Sequence, residues 1–325
     1  MGKIVVLTTG GTISSAPNQT NGLLTTGSIN GKDLVRLCEI DERIQVDVEE
    51  VFRIPSNQFT QNEILCLKQK VESVIQREGV DGVVITHGTD TLEETAYFLD
   101  LVMDVAKPIV ITGSQRSSAQ TGSDAQVNVR QAVQVAASQK SRGMGVLVLF
   151  NEEIYTAREA VKIHASNVVG FRALGYGKLG IVDRDDVIYY RKPYDRKTYA
   201  LSGSLSHVDM IACYQGSDDR FLDCSIKSGV KGIVIEGFGR GHVPPGIVPK
   251  VREAVESGIV VVITSRTLEG RVFPVYDFPG GAQDLLNQGV ILGGSLSGCK
   301  ARVKLAVLLS VFGNDRHRIA AEFSE

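Results

Sequence analysis

The sequence predicts an α/β protein with a larger N-terminal domain, whose mostly parallel sheet is flanked by helices, and a smaller C-terminal α/β domain with its own parallel sheet. Three observations lead there. Apolar runs of strand length alternate with stretches whose apolar residues recur at helical spacing. The segments between them are rich in Gly, Ser, Thr, Asn and Pro, the residues that turn a chain. The alternation lapses over residues 183–204, which are charged and carry Tyr, Pro and Gly, and then starts again. Strictly alternating strands and helices imply parallel βαβ units joined by right-handed crossovers. The charged stretch 183–204 is expected to be the interdomain connection with a hairpin in it, and the division is an N-terminal domain over 1–190, a linker over 191–207 and a C-terminal domain over 208–325.

The first strand is Lys3-Ile4-Val5-Val6-Leu7, ending at Thr8-Thr9-Gly10-Gly11-Thr12-Ile13. The paired glycines let the backbone turn sharply there. The segment is neither a G-x-G-x-x-G fingerprint nor a P-loop, because no G-K-[ST] follows. Residues 14–30 form a long polar loop whose composition fits a mobile lid and a passive surface loop alike. A short helix is expected over 32–38. Ile44, Val46 and Val48 alternate with polar residues and mark a strand running toward Ile54, broken by Pro55-Ser56-Asn57-Gln58. Ile64, Leu67, Val71 and Val74 recur on one helical face. Next come a buried strand, Gly82-Val83-Val84-Ile85, and a helix from Leu92, where Thr91 and Glu94 have capping-box spacing. A strand over 107–112, a polar loop over 113–123, a helix over 124–137 with Asp124 as its N-cap, and a strand over 144–150 complete the main run.

Residues 152–180 are less periodic and include Arg158-Glu159-Ala160-Val161-Lys162-Ile163-His164. The second set has strands expected over 208–213, 232–235, 259–264 and 289–292. Its helices are expected over 218–227, 249–256 and 299–311, followed by a charged tail.

Composition excludes several classes. A formal net charge of -2 over 325 residues argues against a general nucleic-acid or anionic-membrane binder. No apolar run approaches a membrane span, and the strand that begins almost at once leaves no signal-peptide layout before it, so a cytoplasmic location is expected. The five cysteines are odd in number and form no C-x-x-C pair, so neither a disulfide framework nor a cysteine metal site is expected, and most should be small buried hydrophobes. The five histidines show no H-x-x-x-H spacing, and no metal is expected.

In the stretch Thr86-His87-Gly88-Thr89-Asp90-Thr91, Thr89, Asp90 and Thr91 place two hydroxyls and a carboxylate on a strand-to-helix turn. In an open parallel sheet, ligands bind at such carboxyl ends, and free N–H groups at a helix start hold anions. Capping alone would explain the same residue types, so the turn by itself leaves both readings open. The same holds for Thr12.

Thr9-Gly10-Gly11-Thr12-Ile13 together with His87-Gly88-Thr89-Asp90-Thr91 resembles the bacterial-type L-asparaginase family. The likeness continues through Ile54-Pro55-Ser56-Asn57, Lys107 to Ser114, Asp124-Ala125-Gln126-Val127-Asn128, Ala157-Arg158 through Lys162, Gly237-Phe238-Gly239-Arg240-Gly241 and Lys300-Ala301-Arg302. It therefore covers nearly the whole chain. The resemblance implies an amidohydrolase that converts L-asparagine to L-aspartate and ammonia without metal or organic cofactor. Thr12 would be the nucleophile that forms an acyl-enzyme, and Thr89 would activate or replace it, linked to Lys162 and Asp90. Gly11, Gly88 and Thr89 would supply oxyanion N–H groups. Asp90 would bind the substrate's ammonium and Ser56 its carboxylate, Ser114 would sit near the side-chain amide, and Asn57 and Gly88 would also be substrate-binding. It also implies a homotetramer of two close dimers whose sites are shared between subunits.

The sequence departs from the family pattern at several places. Residues 14–30 hold no tyrosine; Leu23-Leu24-Thr25 stands where one is usual. His242 stands where many members carry asparagine, and Asn57 where glutamine is common. Pro279-Gly280-Gly281-Ala282-Gln283-Asp284 offers Asp284 in place of a glutamate. Two competing activities share the scaffold, a glutaminase and the amidase subunit of a tRNA-dependent amidotransferase; the latter carries an extra N-terminal domain for which residues 1–3 leave no room. A non-catalytic amino-acid sensor would keep Ser56 and Asp90 but would not need Thr12, Thr89 and Lys162.

Overall fold

The computed structural model describes residues 2–18, 20–194 and 196–324. Gln19, in the expected loop 14–30, Asp195, in the expected connection, and the two terminal residues lie outside the described residues. Contacts divide the chain into two compact units, 1–198 and 199–325.

The first unit is built on an eight-stranded sheet. In chain order its elements are β1 (Gly2–Thr8), a short β2–β3 hairpin (Ala16–Pro17 and Leu24–Thr25), α1 (Gly31–Arg36), β4 (Ile44–Glu50), α2 (Gln61–Ile75), β5 (Val80–Thr86), α3 (Leu92–Val102), β6 (Ile109–Thr112), α4 (Ala125–Ala137) and β7 (Val146–Phe150). Then come β8 (Glu153–Thr156), the two-stranded β9–β10 ribbon (Val161–Lys162 and Phe171–Arg172), and the β11–β12 hairpin (Gly180–Asp183 and Asp186–Tyr189). The sheet order is β12-β11-β8-β7-β6-β5-β1-β4. The five strands from β4 to β7 are parallel, and β8, β11 and β12 add an antiparallel edge. The parallel strands are Val- and Ile-rich because helices bury both faces. The hairpin expected in the connection is thus the outer edge of the first sheet.

Handedness departs from expectation in one place. The face formed by Ile4, Val6, Val84, Val110 and Leu147 is covered by Ala132, Val133 and Val135 of α4, with Val35 of α1 packed against it. Leu34 of α1 and Val129 of α4 share a further cluster with Ile13. So α1 and α4 lie on one face, whereas α2 and α3 pack against β5, β6 and β7 without joining that cluster. The chain steps in opposite directions along the sheet from β1 to β4 and from β6 to β7. Helices on one face with opposite steps have opposite hands. Helices α2 and α3, on the other face and stepping opposite to α1, share the hand of α1; these three follow the usual right-handed rule, which makes β6–α4–β7 the left-handed crossover. The rule reflects short connections, and the loop over 113–124 is long enough to cross the sheet's end before α4 starts.

Local signals fared unevenly. Thr91 does not cap α3 with its side chain; its hydroxyl donates to the Ser56 carbonyl at 3.0 Å. The capping box stands instead at Thr60 and Glu63, opening α2. Asp124 makes no side-chain cap either: its carboxylate accepts from the backbone N–H groups of Gln115 and Arg116, each at 3.0 Å. A capping side chain can serve one set of partners at a time, and in both cases the partners outside the helix won. Of the cysteines, Cys38 and Cys213 are buried, Cys66 and Cys224 are exposed, Cys299 is intermediate, and all are free, so burial holds for a minority.

The second unit holds a four-stranded parallel sheet, β13 (Val208–Ala212), β14 (Gly232–Gly237), β15 (Val260–Ser265) and β16 (Ile291–Leu292), in that order. Helices α5 (Arg220–Ser228), α6 (Val248–Glu256), α7 (Ala282–Asn287), α8 (Gly298–Phe312) and α9 (Arg316–Phe323) accompany it. The charged tail is thus a helix: Asp315 caps it by accepting from the Arg318 N–H at 3.1 Å, and Ile319 and Phe323 are buried. Helix α7 went unread because six residues give too little periodicity. No described helix is long and apolar enough to cross a membrane.

Candidate active site

The carboxyl ends of β1, β5 and β6 converge because their loops begin with glycine. Gly11 has φ +82°, and a Cβ there would stand 2.5 Å from the Gly88 Cα. A Cβ on Gly88 would in turn stand 2.7 Å from the Ser56 hydroxyl. No side chain fits at either position, so three backbone segments touch. The ladder continues past the strands to lock them: the Thr9 N–H donates to Thr86 O at 3.2 Å, and the His87 N–H to Thr112 O at 2.8 Å. Thr12 and Thr89 each follow one of the two touching glycines, which brings the two threonine segments together.

Thr89 is buried, and its hydroxyl lies 2.9 Å from Lys162 Nζ. Lys162 Nζ also donates to Asp90 Oδ1 at 2.7 Å. The lysine side chain is only 16% exposed, while Asp90 is 68% exposed, so the pair has one face toward the interior and one toward solvent. Lys162 reaches this point because β9 and β10 form a ribbon with Phe171 opposite it, anchored by the buried Phe150–Phe171 ring contact at 4.8 Å. Lone lysines are seldom buried unless paired, and this one is paired twice.

The remaining expected residues fall as follows. Ser56 is buried on a short 3-10 turn against Gly88, and Asn57, on the same turn, is exposed. Ser114 is buried with its hydroxyl donating to the Arg116 carbonyl at 2.6 Å. Thr12 opens the 3-10 turn after Gly11 and is partly exposed. His242 and Asp284 lie in the second unit. The His242 ring packs against Tyr276 and Phe278 at 5.3 and 5.0 Å, and burial lowers its imidazole below the ordinary range. Asp284 accepts from the Gly280 N–H at 2.8 Å and from Gln288 Nε2 at 3.2 Å.

Two residues beside the cluster carry no expected role. His87 is fully buried under Phe59, with ring centroids 4.6 Å apart. Its Nδ1 lies 2.8 Å from the Gly88 carbonyl, which can only accept, so Nδ1 carries the proton and Nε2 takes the Thr95 hydroxyl at 3.2 Å. Burial pushes this imidazole down to about 4, so it is neutral at neutral pH. Gln115 bridges Thr89 and the Lys162 ribbon, with Oε1 3.4 Å from the Thr89 hydroxyl and Nε2 2.8 Å from the His164 carbonyl. Its place directly after Ser114 in the loop leaving β6 was the available signal. Among the described residues no group of His, Cys, Asp and Glu is arranged to hold a metal.

A buried hydroxyl, a paired lysine and a carboxylate at the mouth of a parallel sheet form a candidate site whose residue types suit amide hydrolysis. The chain belongs to the asparaginase family and is a hydrolase: the family profile "Asparaginase, N-terminal" matches residues 3–195, and "Glutaminase/Asparaginase C-terminal domain" matches residues 207–323. It is 46% identical over 310 residues to an L-asparaginase of Bacillus licheniformis, covering 95% of this chain and 96% of that one. It is 34% identical over 279 residues to a glutaminase-asparaginase of Pseudomonas aeruginosa, covering 83% and 77%. A crystal structure described as a probable cytoplasmic L-asparaginase from Campylobacter jejuni superposes with a TM-score of 0.89 at 30% identity over 99% of both chains.

Proposed function

We propose that the protein hydrolyses L-asparagine to L-aspartate and ammonia through an acyl-enzyme on Thr12. The observation that carries this reading is the contact of Lys162 Nζ with Thr89 Oγ1 at 2.9 Å and with Asp90 Oδ1 at 2.7 Å. Thr12 Oγ attacks the amide carbon, and the bond to the amide nitrogen breaks. A threonine hydroxyl needs a base to take its proton. Thr89 passes the proton toward Lys162, which accepts it as a neutral amine and returns it to the departing ammonia. Water then attacks the ester and regenerates Thr12. Backbone N–H groups of Gly11, Gly88 and Thr89 hold the oxyanion. The exposed side of Asp90 takes the substrate's α-ammonium, Ser56 and Asn57 its α-carboxylate, and Gly88 and Ser114 frame the side-chain amide.

The reaction uses no cofactor. A glutaminase activity is the second reading, favoured by the glutaminase-asparaginase relative. The functional form in this reading is a homotetramer of two close dimers, located in the cytoplasm, in keeping with the name of the Campylobacter protein. The test is ammonia release from L-asparagine, D-asparagine, L-glutamine and small peptides, with Thr12→Ala as control. Release from L-asparagine that Thr12→Ala abolishes is the expected result. Stabilisation by asparagine in a thermal shift without any ammonia would point to a sensor instead.

A further inference from the structure

We propose that Gln115 is a positioning residue that orients the Thr89 proton and fixes the Lys162 ribbon; this rests on the reading of Thr89 and Lys162 given above. The amide's orientation follows from its partners. The His164 carbonyl, 2.8 Å away, can only accept, so the Gln115 NH2 group faces it. Oε1 is thereby turned to the other side, 3.4 Å from the Thr89 hydroxyl, longer than an ordinary O–H···O bond and close enough to orient the proton. An ammonium on Lys162 can only donate, so toward it Thr89 acts as acceptor and its own proton must point elsewhere. Gln115 Oε1 is the acceptor placed to receive it. When Lys162 is the neutral amine, the same hydroxyl turns from Gln115 to Nζ. Gln115 thus holds the proton in one state and releases it in the other, without exchanging a proton itself.

The same residue ties three segments together. Its backbone N–H donates to Asp124 Oδ2 at 3.0 Å, which fixes the loop leaving β6. Its NH2 group holds the ribbon just beyond Lys162, where the Ile163 N–H donates to Gly170 O at 2.8 Å. Gly170 leaves the amide its place: a Cβ there would stand 2.4 Å from Gln115 Nε2. An alanine at 170 would therefore push the amide aside while leaving its chemistry intact.

The test is steady-state ammonia release by full-length Gln115→Met, Gly170→Ala and the double variant, with melting temperatures measured alongside. Methionine keeps the length of the side chain and removes both polar atoms. Each single variant is expected to lower kcat about tenfold, less than the loss of a direct proton transfer because Gln115 exchanges no proton itself, with KM for asparagine within about twofold. The double variant is expected to be no worse than the poorer single, because both act through one contact. Two results would overturn the inference: kcat within about twofold of the parent in Gln115→Met, or losses that follow only the folded fraction. Thr89→Val separates this inference from the reading beneath it. If Thr89→Val keeps the parent rate, the threonine mechanism fails; if it is inactive while Gln115→Met matches the parent, the Gln115 assignment alone fails.

Discussion

Both units of this chain end parallel strands in glycine-rich loops, yet only one of them gathers reactive groups there. In the first, Gly11, Gly88 and Ser56 touch, and Lys162 arrives from a separate ribbon to meet Thr89 and Asp90. In the second, the turn after β14 closes on itself through the paired Phe238 and His242. Its histidine is taken up by Tyr276 and Phe278, and its acid, Asp284, holds the Gly280 N–H. Topology marks the carboxyl ends of both sheets as places for ligands. What separates them is whether the polar side chains are satisfied by their own turn or by one another across turns.

The largest expected effect comes from breaking the cluster in the first unit. Thr89→Val and Lys162→Met should each lower kcat for ammonia release at least about 100-fold, as expected when proton transfer is lost. Their far-UV circular dichroism should match the parent. Parent-like rates would mean that this set of contacts is as self-contained as the Asp284 turn.

Gly11→Ala comes next. It forces a side chain onto φ +82° and into the Gly88 Cα. Strain and overlap together should lower stability by at least about 2 kcal/mol in urea unfolding, and the variant should lose activity as the two loops part. An unchanged urea midpoint would show that the loops do not depend on this contact.

A comparable effect should appear with pH. The imidazole of His87 titrates near 6.5 when unfolded and is pushed down to about 4 by burial. Between those values the unfolded chain binds a proton that the folded chain does not. The stabilisation is therefore complete above about pH 6.5 and is lost as pH falls toward about 4, an effect of about 3 kcal/mol. Urea unfolding of the parent and of His87→Asn across this window should show the slope in the parent and a shallower one in the variant. Equal slopes would assign the acid sensitivity elsewhere.

The smallest effect is expected in the second unit. Asp284→Ala removes the acceptor for the Gly280 N–H and should cost about 1 kcal/mol of stability, with KM for asparagine unchanged. A KM raised about tenfold at parent stability would mean instead that this acid serves a substrate site.

Strands and long helices were legible because burial on a sheet writes itself into a repeat of apolar residues. The two threonine motifs were legible because two glycine-led turns in one chain are specific together. Side chains that bond across loops were not. Thr91 and Asp124 both have the local chemistry of caps, but their oxygens meet the distant Ser56 and, at the far end of Asp124's own loop, the 115–116 backbone. The left-handed β6–α4–β7 crossover was hidden for the same reason, since a loop's length does not say over which face its helix returns. Gln115 has no pattern of its own; it matters because His164 and Thr89 come to it from elsewhere. Helix α9 was read as a tail because its two large apolar residues, Ile319 and Phe323, are too few to set a repeat.

Thr12 is the proposed point of covalent attachment. Mixing the enzyme with L-asparagine, quenching in acid within one turnover and mapping peptides by mass should place an aspartyl ester on the peptide containing Thr12, and the Thr12→Ala protein should show none. An ester on Thr89, or parent-rate ammonia release from Thr12→Ala, would contradict it.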